Sequence, residues 1–184
     1  MVEGLSPKVL QLALRAADAA TKQGKGNLKI LGIIDFSLPS STKRFWILDL
    51  EREAVLFHEY VAHGRGSGDK FARAFSNEPK SYKSSLGLFL TESSYFGKHG
   101  YSLYLRGLEK GVNDKAKSRA IVIHSAWYVS EDMIKKTGRI GRSQGCPAVE
   151  SSVVNPLIDT LKEGNLIFAY YPDENWLSSS KFLN

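Results

Sequence analysis

The chain has 184 residues, of which 42% are hydrophobic and 24% are charged, and its formal net charge is +6. This length suits one domain with a sizeable core, and its single cysteine excludes an internal disulfide. No segment is apolar and long enough to predict a transmembrane helix. Arg15, Asp18 and Lys22 interrupt the apolar N-terminal segment, which therefore lacks the continuous apolar core of a signal peptide. The basic residues are scattered, so the charge permits an acidic partner without specifying one.

In chain order, Ser6-Pro7 predicts the start of an N-terminal helix over 6–24, since a hydroxyl cap and a first-turn proline favour helix initiation. Apolar runs then predict strands, and Gly, Ser and Lys predict a loop over 64–85. The strands are predicted over 28–36, 44–50, 54–64, 85–92, 101–108, 119–127 and 165–171, and short helices over 130–136 and from Asn155-Pro156 to Gly164. The pattern predicts one domain over 1–184, mainly β with a few short helices, built as a sandwich or barrel.

The cysteine lies in the segment GRSQGCPAV. Pro147 disfavours a helical conformation at Cys146 and has no N–H of its own. An oxyanion would therefore have to be bound by backbone N–H groups at or before the cysteine, with Gly145 and Gln144 as the main candidates. Gly145 has no side chain, so a substrate carbonyl could approach the backbone closely.

The surroundings of Cys146 favour a reactive thiol over a buried structural one. Arg139 and Arg142 lie just upstream, where a positive charge would stabilise a thiolate or bind a substrate carboxylate. The alternative is a cysteine that only packs in the core, which is common in proteins.

His124 is the best candidate for a base, because it ends the apolar strand AIVIH where a rigid element meets a loop. Its second ring nitrogen needs an acceptor, and we expect the backbone carbonyl near Ser125 to serve. The alternative is a hydrogen-bonded core histidine.

His63 lies in the glycine-rich segment AHGRGSGD, which predicts either a flexible turn or a loop at the rim of a site. In the second case His63 and Arg65 would face a polar substrate. The segment is no phosphate-binding loop, and the sequence has neither the histidine nor the cysteine spacing of a metal site. It also has no nucleic-acid recognition motif.

The segments IVIHSAWYVS and GRSQGCPAV, with VAHGRGSGDKFARAFSN, SSLGLFLT and GKHGYSLYLRGLEKGVND, resemble the L,D-transpeptidase catalytic domain over about 28–171. The likeness is to the subgroup of murein L,D-transpeptidase-like proteins whose motif reads GRSxGCPA. This resemblance implies a β-rich fold with no metal or other cofactor, and Cys146 as the nucleophile with His124 as its general base. The implied substrate is a peptidoglycan stem peptide, attacked between a diamino acid and the terminal D-alanine. We expect substrate contacts from Arg142, Arg139, His63 and Ser143.

The sequence departs from the common family pattern at two places. Gln144 stands where a histidine usually precedes Gly-Cys, and Pro147-Ala148 replace a region that often contains an arginine. These changes leave the acyl acceptor open. The candidates are an amine (transpeptidation), water (an L,D-carboxypeptidase or hydrolase), or no reaction at all in a wall-binding module. The resemblance implies a location in the cell envelope, periplasmic or secreted, although the chain contains no recognisable signal peptide.

Overall fold

The computed structural model describes residues 2–184, which form eight strands and four helices. The strands are β1 (Ile30–Asp35), β2 (Phe45–Asp49), β3 (Ala54–Glu59), β4 (Gly87–Gly97), β5 (Gly100–Gly107), β6 (Val122–Ser125), β7 (Ala148–Val149) and β8 (Leu166–Tyr170). The helices are α1 (Pro7–Lys22), α2 (Glu131–Thr137), α3 (Val154–Leu161) and α4 (Glu174–Ser179).

The strands form one sheet in the order β3-β2-β1-β8-β4-β5-β6-β7. The β1–β8 and β6–β7 pairs are parallel, and the other pairs are antiparallel. The chain that follows β3 meets the opposite edge of the sheet, because Ala62 bridges Ala148 and Gly64 bridges Ser143. The sheet therefore curls until its edges nearly meet, which confirms the mainly β, barrel-like fold expected from the sequence.

The centre of the sheet is buried on both faces. All residues of β2 and β8 are buried, and β1 is buried from Leu31 onward, which explains why these segments read as continuous apolar runs. Helix α1 contacts β1 and β8, and α3 contacts β1, β5 and β6. The buried face of α1 consists mostly of alanines, which allow the helix to approach the sheet closely. None of the helices within residues 2–184 has the length and apolarity to span a membrane.

Several element boundaries differ from those expected. The predicted strand over 54–64 ends at Glu59, and β4 runs on to Gly97 through an irregularity between Thr91 and Ser94, because it pairs with β5 as a long hairpin. Helix α3 begins at Val154, so Asn155 lies inside the helix and does not cap it. Helix α2 begins as expected, with the Ser130 hydroxyl accepting a hydrogen bond from the Met133 N–H. Helix α4 was not expected.

Candidate functional site

The segment before β7 holds Cys146 in a turn that is fixed by Ser143. The Ser143 hydroxyl accepts a hydrogen bond from the Gly145 N–H at 3.1 Å and donates one to the Cys146 carbonyl oxygen at 2.6 Å. Ser143 is only 5% exposed. Its hydroxyl therefore holds the turn, and because Ser143 also lines the cleft, its expected substrate contact stays a prediction.

Gly145 is required here by both backbone conformation and space. Its φ is +124°, and a Cβ at this position would lie 2.9 Å from the Lys83 carbonyl oxygen. On its other side, the Gly64 backbone packs directly against Gly145. The Ser84 hydroxyl joins the two glycines, because it accepts a hydrogen bond from the Gly64 N–H at 2.9 Å and donates one to the Gly145 carbonyl at 3.3 Å.

The Cys146 thiol lies against the start of β6. Its Sγ is 3.4 Å from the Ala120 carbonyl oxygen, to which the thiol donates. Burial raises the pKa of this thiol, and the Val122 N–H and the positive charges of Arg119 and Lys98 offset part of that rise. The resting thiol is therefore protonated at neutral pH.

His124 is held by the backbone of its own strand. Its Nδ1 lies 2.8 Å from the Ser125 carbonyl oxygen, so Nδ1 carries the proton and Nε2 is left as the basic nitrogen. The His99 ring stacks on it at 4.3 Å between centroids. Burial lowers the pKa of His124, the Ser125 carbonyl opposes that effect, and His99 and Lys98 lower the pKa further. The imidazole is therefore neutral at pH 7.

Cys146 and His124 line one cleft of about 770 Å³. His124 pairs with Ala148 in the parallel β6–β7 ladder, and Cys146 lies two residues before Ala148. The β6–β7 pairing thus brings the turn that carries Cys146 beside the strand that carries His124, and both residues line the cleft. Within residues 2–184 no hydrogen bond joins Sγ to the imidazole, because the thiol is bonded to Ala120 instead.

The two expected oxyanion donors differ in availability. The Gly145 N–H is occupied by Ser143. Among the described residues, the N–H groups of Gln144 and Cys146 have no hydrogen-bond partner, and the Gln144 side chain is exposed in the cleft. The structure therefore favours Gln144 and Cys146 as donors toward a ligand, and Gly145 would have to give up its bond to Ser143 first.

Of the two arginines expected to bind substrate, only Arg142 lines the cleft. Its Nη1 donates to the Gly68 carbonyl at 3.0 Å and lies 3.6 Å from Asp69. Arg139 does not line the cleft, and its Nε pairs with Asp69 at 2.7 Å. The structure thus places Arg139 beside the site as a partner of the loop that carries Asp69.

The expectation that His63 faces a substrate needs correction. His63 is fully buried, with Nδ1 2.7 Å from the Arg44 guanidinium and Nε2 3.3 Å from the Gly68 carbonyl. Burial, with the nearby charge of Arg44, lowers the pKa of His63 to about 4. His63 is a core residue that supports the loop, while its neighbour Arg65 is exposed and lines the cleft.

The sequence analysis missed several cleft residues, among them Lys98 and His99, which form the turn between β4 and β5, and Arg119, which precedes β6. Lys98 and His99 lie between two glycines, which predict only a hairpin turn. Their proximity to His124 depends on the β5–β6 pairing, which has no local sequence signal. Within residues 2–184, no three His, Cys, Asp or Glu side chains are grouped to hold a metal ion.

The family model of the L,D-transpeptidase catalytic domain matches residues 2–170. Among solved structures, an L,D-transpeptidase from Mycobacterium smegmatis is 15% identical, with a TM-score of 0.47, over 78% of this chain and 59% of its own. An L,D-transpeptidase from Stackebrandtia nassauensis is also 15% identical, with a TM-score of 0.46, over 89% of this chain and 68% of its own. The chain thus spans about six tenths of the mycobacterial structure. A comparison with curated proteins gave no significant match. Because the family model matches nearly the whole chain, this protein belongs to the L,D-transpeptidase catalytic domain family.

Proposed function

We propose that this protein is a cysteine acyltransferase of the bacterial cell wall. It cleaves the bond between a diamino acid and the terminal D-alanine of a peptidoglycan stem peptide, and it transfers the acyl group to an amine. The observation that carries the proposal is the presence of a thiol and an imidazole in one cleft, with the imidazole oriented by the Ser125 carbonyl. Family membership supports the same chemistry. The cell envelope, where this substrate occurs, is the proposed location.

In the first half-reaction, the Cys146 thiol leaves its hydrogen bond to Ala120 and passes its proton to Nε2 of His124. The sulfur forms a bond to the scissile carbonyl carbon, and the resulting oxyanion accepts hydrogen bonds from the N–H groups of Gln144 and Cys146. When this intermediate collapses, the C–N bond breaks, and the departing D-alanine nitrogen takes the proton from His124. A thioester on Cys146 remains.

In the second half-reaction, an acceptor amine attacks the thioester carbonyl and gives a proton to Nε2 of His124. The C–S bond breaks, the proton returns to the sulfur, and a new amide is formed. Water in place of the amine gives a carboxylate, which is the carboxypeptidase alternative. The same residues serve both acceptors, so the two outcomes are separated by product analysis.

The pKa shifts support a general-base route in which the resting thiol and imidazole are both neutral. Burial raises the pKa of Cys146 and lowers that of His124, and both effects oppose a resting thiolate–imidazolium pair. The proton would therefore move only when a substrate carbonyl is in place. A protonated thiol also resists oxidation between turnovers.

The test begins with a carbapenem and intact-mass measurement, since a reactive thiol acquires the mass of the opened β-lactam. We expect one adduct on the wild type, none on Cys146→Ala, and a strongly slowed reaction for His124→Asn. His58→Asn is the matched control, because His58 stacks on Trp46 and does not line the cleft. A titratable free thiol that forms no adduct would indicate a non-catalytic wall-binding module.

A second measurement separates the acceptors. Incubation with tetrapeptide-bearing cell wall, followed by muropeptide analysis, should yield cross-linked dimers together with free D-alanine. Tripeptides without dimers would identify the carboxypeptidase, and an unchanged wall would contradict the proposal.

A further inference from the structure

The cleft around Cys146 is strongly cationic. Its walls include five arginine or lysine residues and no aspartate or glutamate: Arg65, Lys80, Lys98, Arg119 and Arg142. The net charge of the whole chain is only +6, so the positive charge is concentrated at this site. A cleft lined in this way favours a ligand that carries several negative charges.

Most of these charges have no acidic partner. Within residues 2–184, Arg142 is the one cleft cation that forms an ion pair, with Asp69 at 3.6 Å. Burial lowers the pKa of Arg119, and Glu78 lies close enough to offset part of that fall. The Arg119 guanidinium donates to four neutral oxygens of the 76–85 segment, so it holds that segment without forming an ion pair. Within residues 2–184, Arg65, Lys80 and Lys98 form no ion pair.

Arg65 is the best organised of the unpaired cations. Its guanidinium lies over the Tyr82 ring at 4.1 Å from the ring centroid, and Tyr82 is itself 37% exposed at the cleft. A guanidinium over an aromatic face is restrained by that contact, and its planar set of N–H donors suits bidentate binding of a carboxylate. The Arg65 backbone N–H donates to the Ser143 carbonyl at 2.8 Å, so this cation is anchored to the turn that carries Cys146.

We propose that the cleft prefers acyl-donor stem peptides with free carboxylates to the same peptides in which carboxamides replace those carboxylates. In this proposal Arg65 binds one of the carboxylates through two parallel hydrogen bonds. The proposal rests on the proposed function, because it takes a stem peptide as the donor. The relevant groups are the carboxylate beside the γ-glutamyl linkage and the second carboxylate of a diaminopimelyl residue. Amidation removes a negative charge and replaces one acceptor oxygen with an NH₂ donor that faces a guanidinium donor.

The experiment measures binding, so that it does not depend on turnover. Calorimetry on Cys146→Ala compares the tetrapeptide L-Ala–γ-D-Glu–diaminopimelyl–D-Ala with its doubly amidated form. We expect the free acid to bind at least about tenfold more tightly, since a charge-assisted hydrogen bond exceeds that margin. Raising the salt concentration from about 0.05 to 0.5 M should weaken the free acid more than the amide, which keeps only its D-alanine carboxylate.

Substitutions in the same background locate the selectivity. Arg65→Gln should reduce the preference several-fold by weakening the free acid alone, with the remainder due to the other cations of the cleft, and Arg65→Lys should lose less because it keeps the charge without the planar fork. Lys136→Gln, an exposed lysine of α2 outside the cleft, is the matched control and should keep the full preference.

Three results would overturn the inference: equal affinity for both peptides, a preference of undiminished size in Arg65→Gln, or a peptide-free polyanion such as polyphosphate that binds as tightly as the stem. Failure of the proposed function has a different signature. In that case Cys146→Ala discriminates between the peptides as expected, yet the wild type releases no D-alanine from either one.

Discussion

Replacing Ser143 with alanine tests whether its hydroxyl holds the nucleophile or binds substrate. The change removes two hydrogen bonds, at 3.1 Å to the Gly145 N–H and at 2.6 Å to the Cys146 carbonyl. The Gly145 N–H lies in a buried turn, and an unsatisfied buried donor costs about 1–3 kcal/mol. For a chain of this length we expect the melting temperature to fall by about 2–12 °C. Because the Cys146 backbone loosens, kcat should fall about ten- to a hundredfold with little change in KM.

The assay combines thermal unfolding with steady-state release of D-alanine at 25 °C, where the variant remains folded. Ser178→Ala is the control, because Ser178 is exposed and donates a single hydrogen bond to the Asn175 carbonyl. It should shift neither quantity appreciably. The reasoning would be refuted if Ser143→Ala melted like Ser178→Ala and raised KM with kcat unchanged, since that is the signature of a substrate-binding hydroxyl.

Two further predictions concern pH. Because His63 has a pKa of about 4 in the folded protein, the unfolded chain binds more protons than the folded protein between pH 6.5 and 4. The free energy of unfolding should therefore fall by up to about 3 kcal/mol as the pH is lowered from 6.5 to 4. Denaturant titrations from pH 4 to 8 should show this slope reduced in His63→Gln, and parallel profiles would contradict it. The acid limb of kcat/KM should lie below pH 6.5, where the lowered pKa of His124 places it. Lys98 lowers the pKa of both His124 and Cys146. Lys98→Gln should therefore shift the acid limb, and the pH midpoint for iodoacetamide alkylation of Cys146, to higher pH. Unmoved profiles would show that Lys98 does not act on the pair.

Most of the fold could be predicted because its strands and main helix carry strong local signals. The central strands are continuous apolar runs bounded by polar turns, and α1 has a first-turn proline and a regular apolar face. Helix α4 was missed, although the sequence contains a local signal for it. That signal is Asp173, whose carboxylate caps the helix by accepting a hydrogen bond from the Trp176 N–H at 2.8 Å. Its stability depends on distant contacts, since Trp176 packs on Phe168 and donates to the buried carboxylate of Glu109.

The site was predictable in part for the same reason. Cys146 and His124 carry local signals, a glycine-proline context and a strand end, and the structure places both in one cleft. The sequence could not distinguish the buried His63 from the exposed Arg65 two residues later, because both lie in one glycine-rich segment. Which of them enters the core is decided by the Arg44 guanidinium, a partner 19 residues away in sequence from His63.

The burial of His63 has a consequence for the proposed reaction. Its backbone carbonyl accepts from the Ser143 N–H at 3.0 Å, the Arg65 N–H donates to the Ser143 carbonyl, and Arg139 and Arg142 both reach Asp69. The 63–69 loop is thus joined along its length to the 139–146 segment, and Arg44 anchors it in the core through His63. The backbone of Arg65 is therefore fixed relative to the turn that carries Cys146. If the protein catalyses the proposed acyl transfer, this backbone supports the orientation of a substrate carboxylate relative to the thiol before any proton moves.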